Sequence, residues 1–365
     1  MIKLESLKKE YIEEQSERLK VRNIDVLERT IHAFILLERL AGSGIDFVFK
    51  GGTSLLLHIE EPQRLSVDID ITCSIDKTIF ENILRQICTA PFERFEPSER
   101  GADRRPRRRH YKFYYTGICT SLPVQPYVLL DVVEEKNEII HIEKKPVLTS
   151  FLLNHNDPLL VNTPTIDALL GDKLTAYAPA TTGVSLEEDC VQQFTKQLFD
   201  IGYLFRYMTD FEVVKKTYLS VGAAEMRYRG KTDPLSFAMH DTFQTSFDLC
   251  CLDLVTDKHK NTGRGRLMRR GIEILSTNLI NNRKFRLPEA KIAAARAAHL
   301  IAIILENQVD VACDSIKYRE TEDVVNELKS ARLSVNLGAL GKLRSVTEAY
   351  WHWYQIGKKS NWKPS

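Results

Sequence analysis

Apolar positions along this chain recur with two different periods. Near the start they fall three and four apart: Leu36, Leu37 and Leu40 continue a stripe from Ile31 and Phe34, which predicts helices over residues 1–41. From 45 to 135 strand-like and helix-like pieces alternate. Ile45-Asp46-Phe47-Val48-Phe49 predicts a short strand, and Thr53-Ser54-Leu55-Leu56-Leu57-His58 the start of a helix. Ser66-Val67-Asp68-Ile69-Asp70-Ile71 alternates polar with apolar, which predicts a strand with one face in a core. A helix is expected over 76–89 with Ile79, Ile83, Leu84 and Ile87 on one face, then strands over 111–116 and 125–133, and a hairpin-like piece over 139–147. The segments around Pro158 and Pro164 carry turn and cap signals, so a boundary is expected there, with Thr165 or Thr163 capping the next helix. Beyond 165 the pattern is almost all helical, including 237–255, 266–281, 289–306, 315–328 and 345–353. The Ala-rich run from Ala290 predicts a bundle-core helix, and Trp351 and Trp353 read as packing. The predicted class is α+β: a mixed sheet with flanking helices over 1–164, followed by a mostly helical lobe over 165–365.

Candidate chemistry sits between the first two predicted strands. Lys50-Gly51-Gly52-Thr53-Ser54 joins a strand to a helix start, and backbone N–H groups at such a turn can cradle a phosphate that glycine lets approach. About a dozen residues later, Asp68 and Asp70 lie two apart in a strand pattern, so they project to one face together with Ser66. Two carboxylates so close repel each other unless a cation lies between them, and Mg²⁺ prefers carboxylate oxygens together with water and substrate phosphates. A solvated strand face and an ordinary tight turn fit the same residues taken singly. The combination of cradle, spacer and paired acids favours metal-dependent nucleotide transfer.

Gly51-Gly52-Thr53-Ser54-Leu55, followed by Arg64, Ser66, Asp68 and Asp70, resembles the first two motifs of the AbiEii/AbiGii-type nucleotidyltransferase toxins of the DNA polymerase β-like superfamily. Asp172-Lys173-Leu174-Thr175-Ala176 is similar to that family's K-L-x-A helix, and Lys196-Gln197-Leu198-Phe199-Asp200-Ile201 to its R-D-L-Y-D-I helix, with Lys196 and Gln197 departing from it. The resemblance spans roughly residues 40–205. It implies a polymerase-β-like core, with Asp68 and Asp70 holding metal, Lys173 contacting nucleotide phosphates and Asp200 as a late essential acid. Lys50, Gly51, Gly52, Thr53, Ser54, Arg64 and Ser66 would line the nucleotide site. Lys173 lies in an apolar helical run, where a charge needs a partner; Asp172 and Asp167 are near in sequence. The superfamily's usual third carboxylate has no motif here; Asp131, the acid in the apolar centre of 125–133, is taken as that ligand or as an electrostatic neighbour of the site, with Glu134 and Glu135 as weaker candidates. Lys173 and Asp200 are expected to come from the second lobe and close over the strands, the nucleotide lying between. A phosphate on Ser66 would set about −2 of charge against the paired acids and act as an off switch; a hydroxyl bonding the turn is the simpler role.

Composition narrows the class further. The 365 residues are 43% hydrophobic and 27% charged, as in a globular protein, and no apolar run approaches the length of about 18 residues needed to span a membrane. Seven cysteines without a C-x-x-C favour a reducing cytoplasm over a disulfide or zinc framework. A net charge of +2 implies no global attraction to nucleic acid, but two basic runs do so locally. One holds Arg104, Arg105, Arg107, Arg108, Arg109 and Lys112, with Tyr111, Tyr114 and Tyr115 available to stack bases; the other holds Arg264 and Arg266.

The expectation is a Mg²⁺-dependent (or Mn²⁺-dependent) nucleotidyltransferase toxin that moves NMP from an NTP to an RNA acceptor. By resemblance the acceptor is the tRNA 3′ end, and the partner a cognate antitoxin in an abortive-infection setting. A protein or antibiotic-like acceptor, or a non-catalytic nucleotide-binding role, are the alternatives.

Overall fold

The computed structural model describes residues 1–98, 107–119, 123–134, 137–155, 157–254, 263–277 and 279–359. The amino-terminal stripe forms α1 (Lys9–Arg18) and α2 (Ile24–Gly42), the latter capped by Asn23 accepting from the Asp25 amide at 3.1 Å. Ile31, Phe34 and Leu37 of α2 are fully buried. They join one core cluster with Ile69, Ile71, Leu130 and Val132.

Among the described residues seven strands form one mixed sheet: β1 (Val48–Lys50), β2 (Ile69–Thr72), β3 (Phe92–Ser98), β4 (Arg108–Tyr115), β5 (Tyr127–Val133), β6 (Ile142–Pro146) and β7 (Leu160–Pro164). Their spatial order is β3-β4-β5-β2-β1-β7-β6. β2 pairs parallel with β5 and β1 parallel with β7; the other neighbours run antiparallel. α3 (Gly51–His58) leaves β1 directly, and α4 (Lys77–Ile87) follows β2.

Several expectations are corrected here. The run starting at Ser66 is a strand only from Ile69, so Ser66 and Asp68 lie in the approach to β2. In α4 the buried face is Phe80 and Leu84, while Ile79 points outward. The piece over 139–147 does not fold on itself; its strand β6 pairs with β7. Thr163 is buried within β7, leaving Thr165 as the residue before the next helix.

The chain divides into two units, one comprising Met1–Thr165 with Thr277–Arg283 and the other Ile166–Ser276 with Lys284–Ser365. The short returning segment, which the sequence pattern placed with the helical lobe, pairs Leu279 with Arg64. Its Ile280 amide donates to the Gln63 carbonyl at 3.1 Å. The second unit holds α5 (Ile166–Ala176), α6 (Val191–Leu204), α7 (Phe211–Tyr228), α8 (Ser236–Cys251), α9 (Gly263–Thr277), α10 (Leu287–Leu305), α11 (Cys313–Ile316), α12 (Glu322–Ser330) and α13 (Thr347–Lys359). The single helix expected over 315–328 is thus two, α11 and α12. α10 is buried nearly all round, as its alanine run predicts, and Trp351 and Trp353 are packed inside. All seven cysteines are free thiols. Among the described residues no helix is long and apolar enough to cross a membrane.

Candidate active site

The glycine turn and the acids meet within the first unit. Lys50 ends β1 in extended conformation, and Gly51 then takes φ +79°, a region a side chain rarely adopts. A Cβ at Gly51 would fall onto the Asp70 carboxylate. One at Gly52 would lie 2.7 Å from an Arg64 guanidinium nitrogen and 3.0 Å from Ser66 Oγ. The missing side chains therefore let Asp70, Arg64 and Ser66 close onto the turn. Thr53 Oγ1 donates to the Asp68 carbonyl at 2.5 Å, which ties the approach to β2 onto the first turn of α3, and Ser54 Oγ donates to the Gly51 carbonyl at 2.9 Å. Arg64 is itself buried and donates to the Leu65 carbonyl at 3.2 Å.

Sheet register extends this group sideways. Asp70 is paired in register with Lys50 of β1 and with Asp131 of β5, and Asp131 with His110 of β4. Paired residues on adjacent strands project to one face, so Lys50, Asp70, Asp131 and His110 form a polar row across four strands. The opposite face carries Phe49, Ile69, Ile71, Leu130, Val132 and Tyr111, all buried. His110 Nδ1 lies 2.5 Å from Asp131 Oδ1. This partner was not singled out from the sequence; alternation puts it in phase with a polar face, but which acid it meets depends on register.

The basic run divides between the two faces. Tyr111 and Tyr115 are buried in the core, Tyr115 stacked on His32 with ring centroids 3.6 Å apart, so neither can receive a base. Tyr114 is on the other face, where Arg94 lies 4.0 Å from its ring centroid. Lys112 lies 4.7 Å from the centroid of Tyr127. Arg109 points with the core face, bound to the Glu134 carboxylate and donating to the Ile75 carbonyl at 3.0 Å. Glu134, two residues on from Val132, is in phase with the core face rather than with Asp131, so it stands outside the polar row. Arg107 and Arg108 are exposed; Arg104, Arg105 and Glu135 lie outside the described residues.

In the second unit Lys173 of α5 and Asp200 of α6 form an ion pair at 3.2 Å, with side chains 6% and 2% exposed. The charge partner of Lys173 is therefore Asp200, not Asp172 or Asp167; Asp167 instead accepts from the amides of Thr209 and Asp210 at 2.9 and 3.1 Å. On α9, Arg264 pairs with Asp248 at 3.1 Å, and Arg266 is exposed.

Among the described residues no three His, Cys, Asp or Glu side chains form a group that could hold a metal ion by themselves. Mg²⁺ does not ask for one, since it is commonly held by one or two carboxylates with water and substrate phosphates completing the shell. Hard oxygen donors at Asp70 and Asp131, beside a turn that would admit a phosphate, fit that demand.

A mixed sheet carrying acids on adjacent strands beside a glycine turn suits nucleotidyl transfer. The match to the family model described as "Nucleotidyl transferase AbiEii toxin, Type IV TA system" covers residues 35–294, and the chain belongs to that family. It is a nucleotidyltransferase of the type IV toxin–antitoxin class. Similar solved structures include JHP933 from Helicobacter pylori (11% identity, TM-score 0.36, covering 82% of this chain and 97% of that one). Another is an antigenic nucleotidyltransferase-like protein from Paracoccidioides brasiliensis (15% identity, TM-score 0.35, 58% and 91%). A third is a nucleotidyltransferase, so far only inferred to be one, from H. pylori (12% identity, TM-score 0.34, 80% and 96%). Likeness at this level carries no argument about function. No curated protein matches the chain.

Proposed function

We propose that the chain is a Mg²⁺-dependent toxin that transfers NMP from an NTP to the 3′ end of an RNA, a tRNA by family resemblance, and is neutralised by a cognate antitoxin. The observation that carries this is the closure of the Gly51 turn onto Asp70 with Asp131 in register beside it. Amides at the start of α3 face the phosphates, Arg64 and Lys50 add positive charge, and Asp70 and Asp131 would hold the metal, with Asp68 at the approach to β2 and the substrate phosphates completing its shell. Lys173 is the phosphate-contacting lysine, and Asp200 fixes its ammonium through the 3.2 Å ion pair. Bound Mg²⁺ would neutralise the triphosphate and the departing pyrophosphate. The acceptor hydroxyl oxygen bonds to the α-phosphorus, the bond from that phosphorus to the β-phosphate oxygen breaks, and the hydroxyl proton passes to a carboxylate of the row. Most of the rate comes from positioning and electrostatics rather than from a covalent enzyme intermediate. Exposed Arg107 and Arg108, with Lys112 and, in the second unit, Arg266, are the candidate RNA contacts.

The test is incubation of the protein with Mg²⁺, each α-labelled NTP and total tRNA. Label on RNA with one NTP, lost in Asp68→Ala and Asp70→Ala, is expected. Label carried by protein or a small molecule would move the acceptor, and an active Asp70→Ala enzyme would overturn the mechanism.

A further inference from the structure

We propose that His110 is a positioning residue for the metal site, a role that rests on the function proposed above. Its ring sits at the position on β4 paired with Asp131, and Nδ1 lies 2.5 Å from Asp131 Oδ1. The two side chains are 13% and 28% exposed, so the contact is sheltered while part of the carboxylate still reaches solvent. Asp131 is also the register partner of Asp70 on the other side. The carboxylate is thus held by a ring on one strand and flanked in register by an acid on the next. A carboxylate bonded through one oxygen loses its freedom to rotate and presents the other oxygen in a fixed direction; hydrogen bonds of this kind behind metal ligands typically matter by about 10–100-fold in affinity. His110 therefore acts through Asp131, with no contact to substrate required. Lys50, the other polar member of the row, neighbours Asp70 on the side away from Asp131, so the row leaves the orienting of Asp131 to His110.

Mn²⁺ binding followed by electron paramagnetic resonance, without nucleotide or RNA, tests the inference without relying on turnover. His110→Leu removes the donor; His110→Asn keeps an N–H near the position of Nδ1. The expected result is about 10-fold weaker Mn²⁺ binding in His110→Leu and binding within about 3-fold of the parent in His110→Asn, with equal melting temperatures for the two variants. Unchanged or tighter binding in His110→Leu, or equal weakening in both variants, would overturn the positioning role. Asp70→Asn separates this from the underlying reading: if the parent binds no Mn²⁺ even when a non-hydrolysable NTP analogue is then added to complete the shell, or Asp70→Asn binds it as the parent does, the metal site itself is wrong rather than the part His110 plays.

Discussion

Lys173 and Asp200 show how much a single contact carries at the residue scale. Both side chains are nearly out of solvent and 3.2 Å apart. Removing one partner of a buried pair strands the other charge and costs about 3–5 kcal/mol, whereas replacing both by apolar groups is often close to neutral. Asp200→Leu alone is therefore expected to lower stability by about 3 kcal/mol, and Lys173→Met with Asp200→Leu to recover most of that in urea denaturation. Transfer activity is expected to stay lost in the double variant, because the proposed phosphate contact needs the ammonium. Recovery of activity along with stability would mean that the pair is only structural. Both residues were legible as members of two separate motifs. Their partnership was not, because they lie 27 positions apart in the chain and nothing local says that α5 and α6 bring those two turns together. His110 was hidden for the same reason: its meaning comes from register with Asp131, and register is a long-range property.

At the scale of an element, α4 illustrates what pattern alone can and cannot decide. Asp76 accepts from the amides of Thr78 and Ile79 at 2.8 and 3.1 Å, so the helix start is written locally. Its face is not. Ile79, Ile83 and Ile87 form one stripe and Phe80, Leu84 and Ile87 another; the sheet selects the second by packing Phe80 on Tyr111, with centroids 5.8 Å apart. Ile79 is left 55% exposed. Phe80→Ala is expected to cost about 3–5 kcal/mol and Ile79→Lys less than about 0.5 kcal/mol. Comparable losses in chemical denaturation would return the buried face to Ile79. Strands followed the same logic. β2 and β5 were readable from alternation and apolar runs, but β3 and β7 were missed, since β3 lies at the sheet edge with Pro97 in it and β7 ends in Pro164. The short glycine turn was the opposite case: a positive φ and a close approach both demand glycine, so the site's most local device was also its most legible.

Across the whole molecule, buried histidines set the response to acid. Burial pushes His32 down to about 4, against a partly compensating bond to the Glu28 carbonyl. Burial does the same to His58, with Lys145 adding to it, again to about 4. In the second unit burial lowers His352 as well. An unfolded histidine takes its proton near pH 6.5. Between about 6.5 and about 4 the unfolded chain therefore binds protons that the folded chain refuses, so the stabilisation is complete above that window and falls as pH drops through it. A shift of this size is on the order of 3 kcal/mol per histidine when fully expressed. Asp241, raised above 3.8 by burial, works in the opposite sense and offsets part of the decline, and Glu348, held down to about 2 against its burial by His352 and Arg296, loses its contribution as pH falls below 4.5. Urea midpoints measured from pH 7.5 to 4.5 are expected to decline, and most of the decline should sit above pH 4.5. His32→Phe keeps a ring against Tyr115 but has nothing to protonate, so its midpoint should fall less steeply over the same range. A parent protein equally stable at both ends of the range would mean that these rings are hydrated in the folded state. The packing of His32, on α2, against Tyr115 would then need to be loose enough to admit a charge.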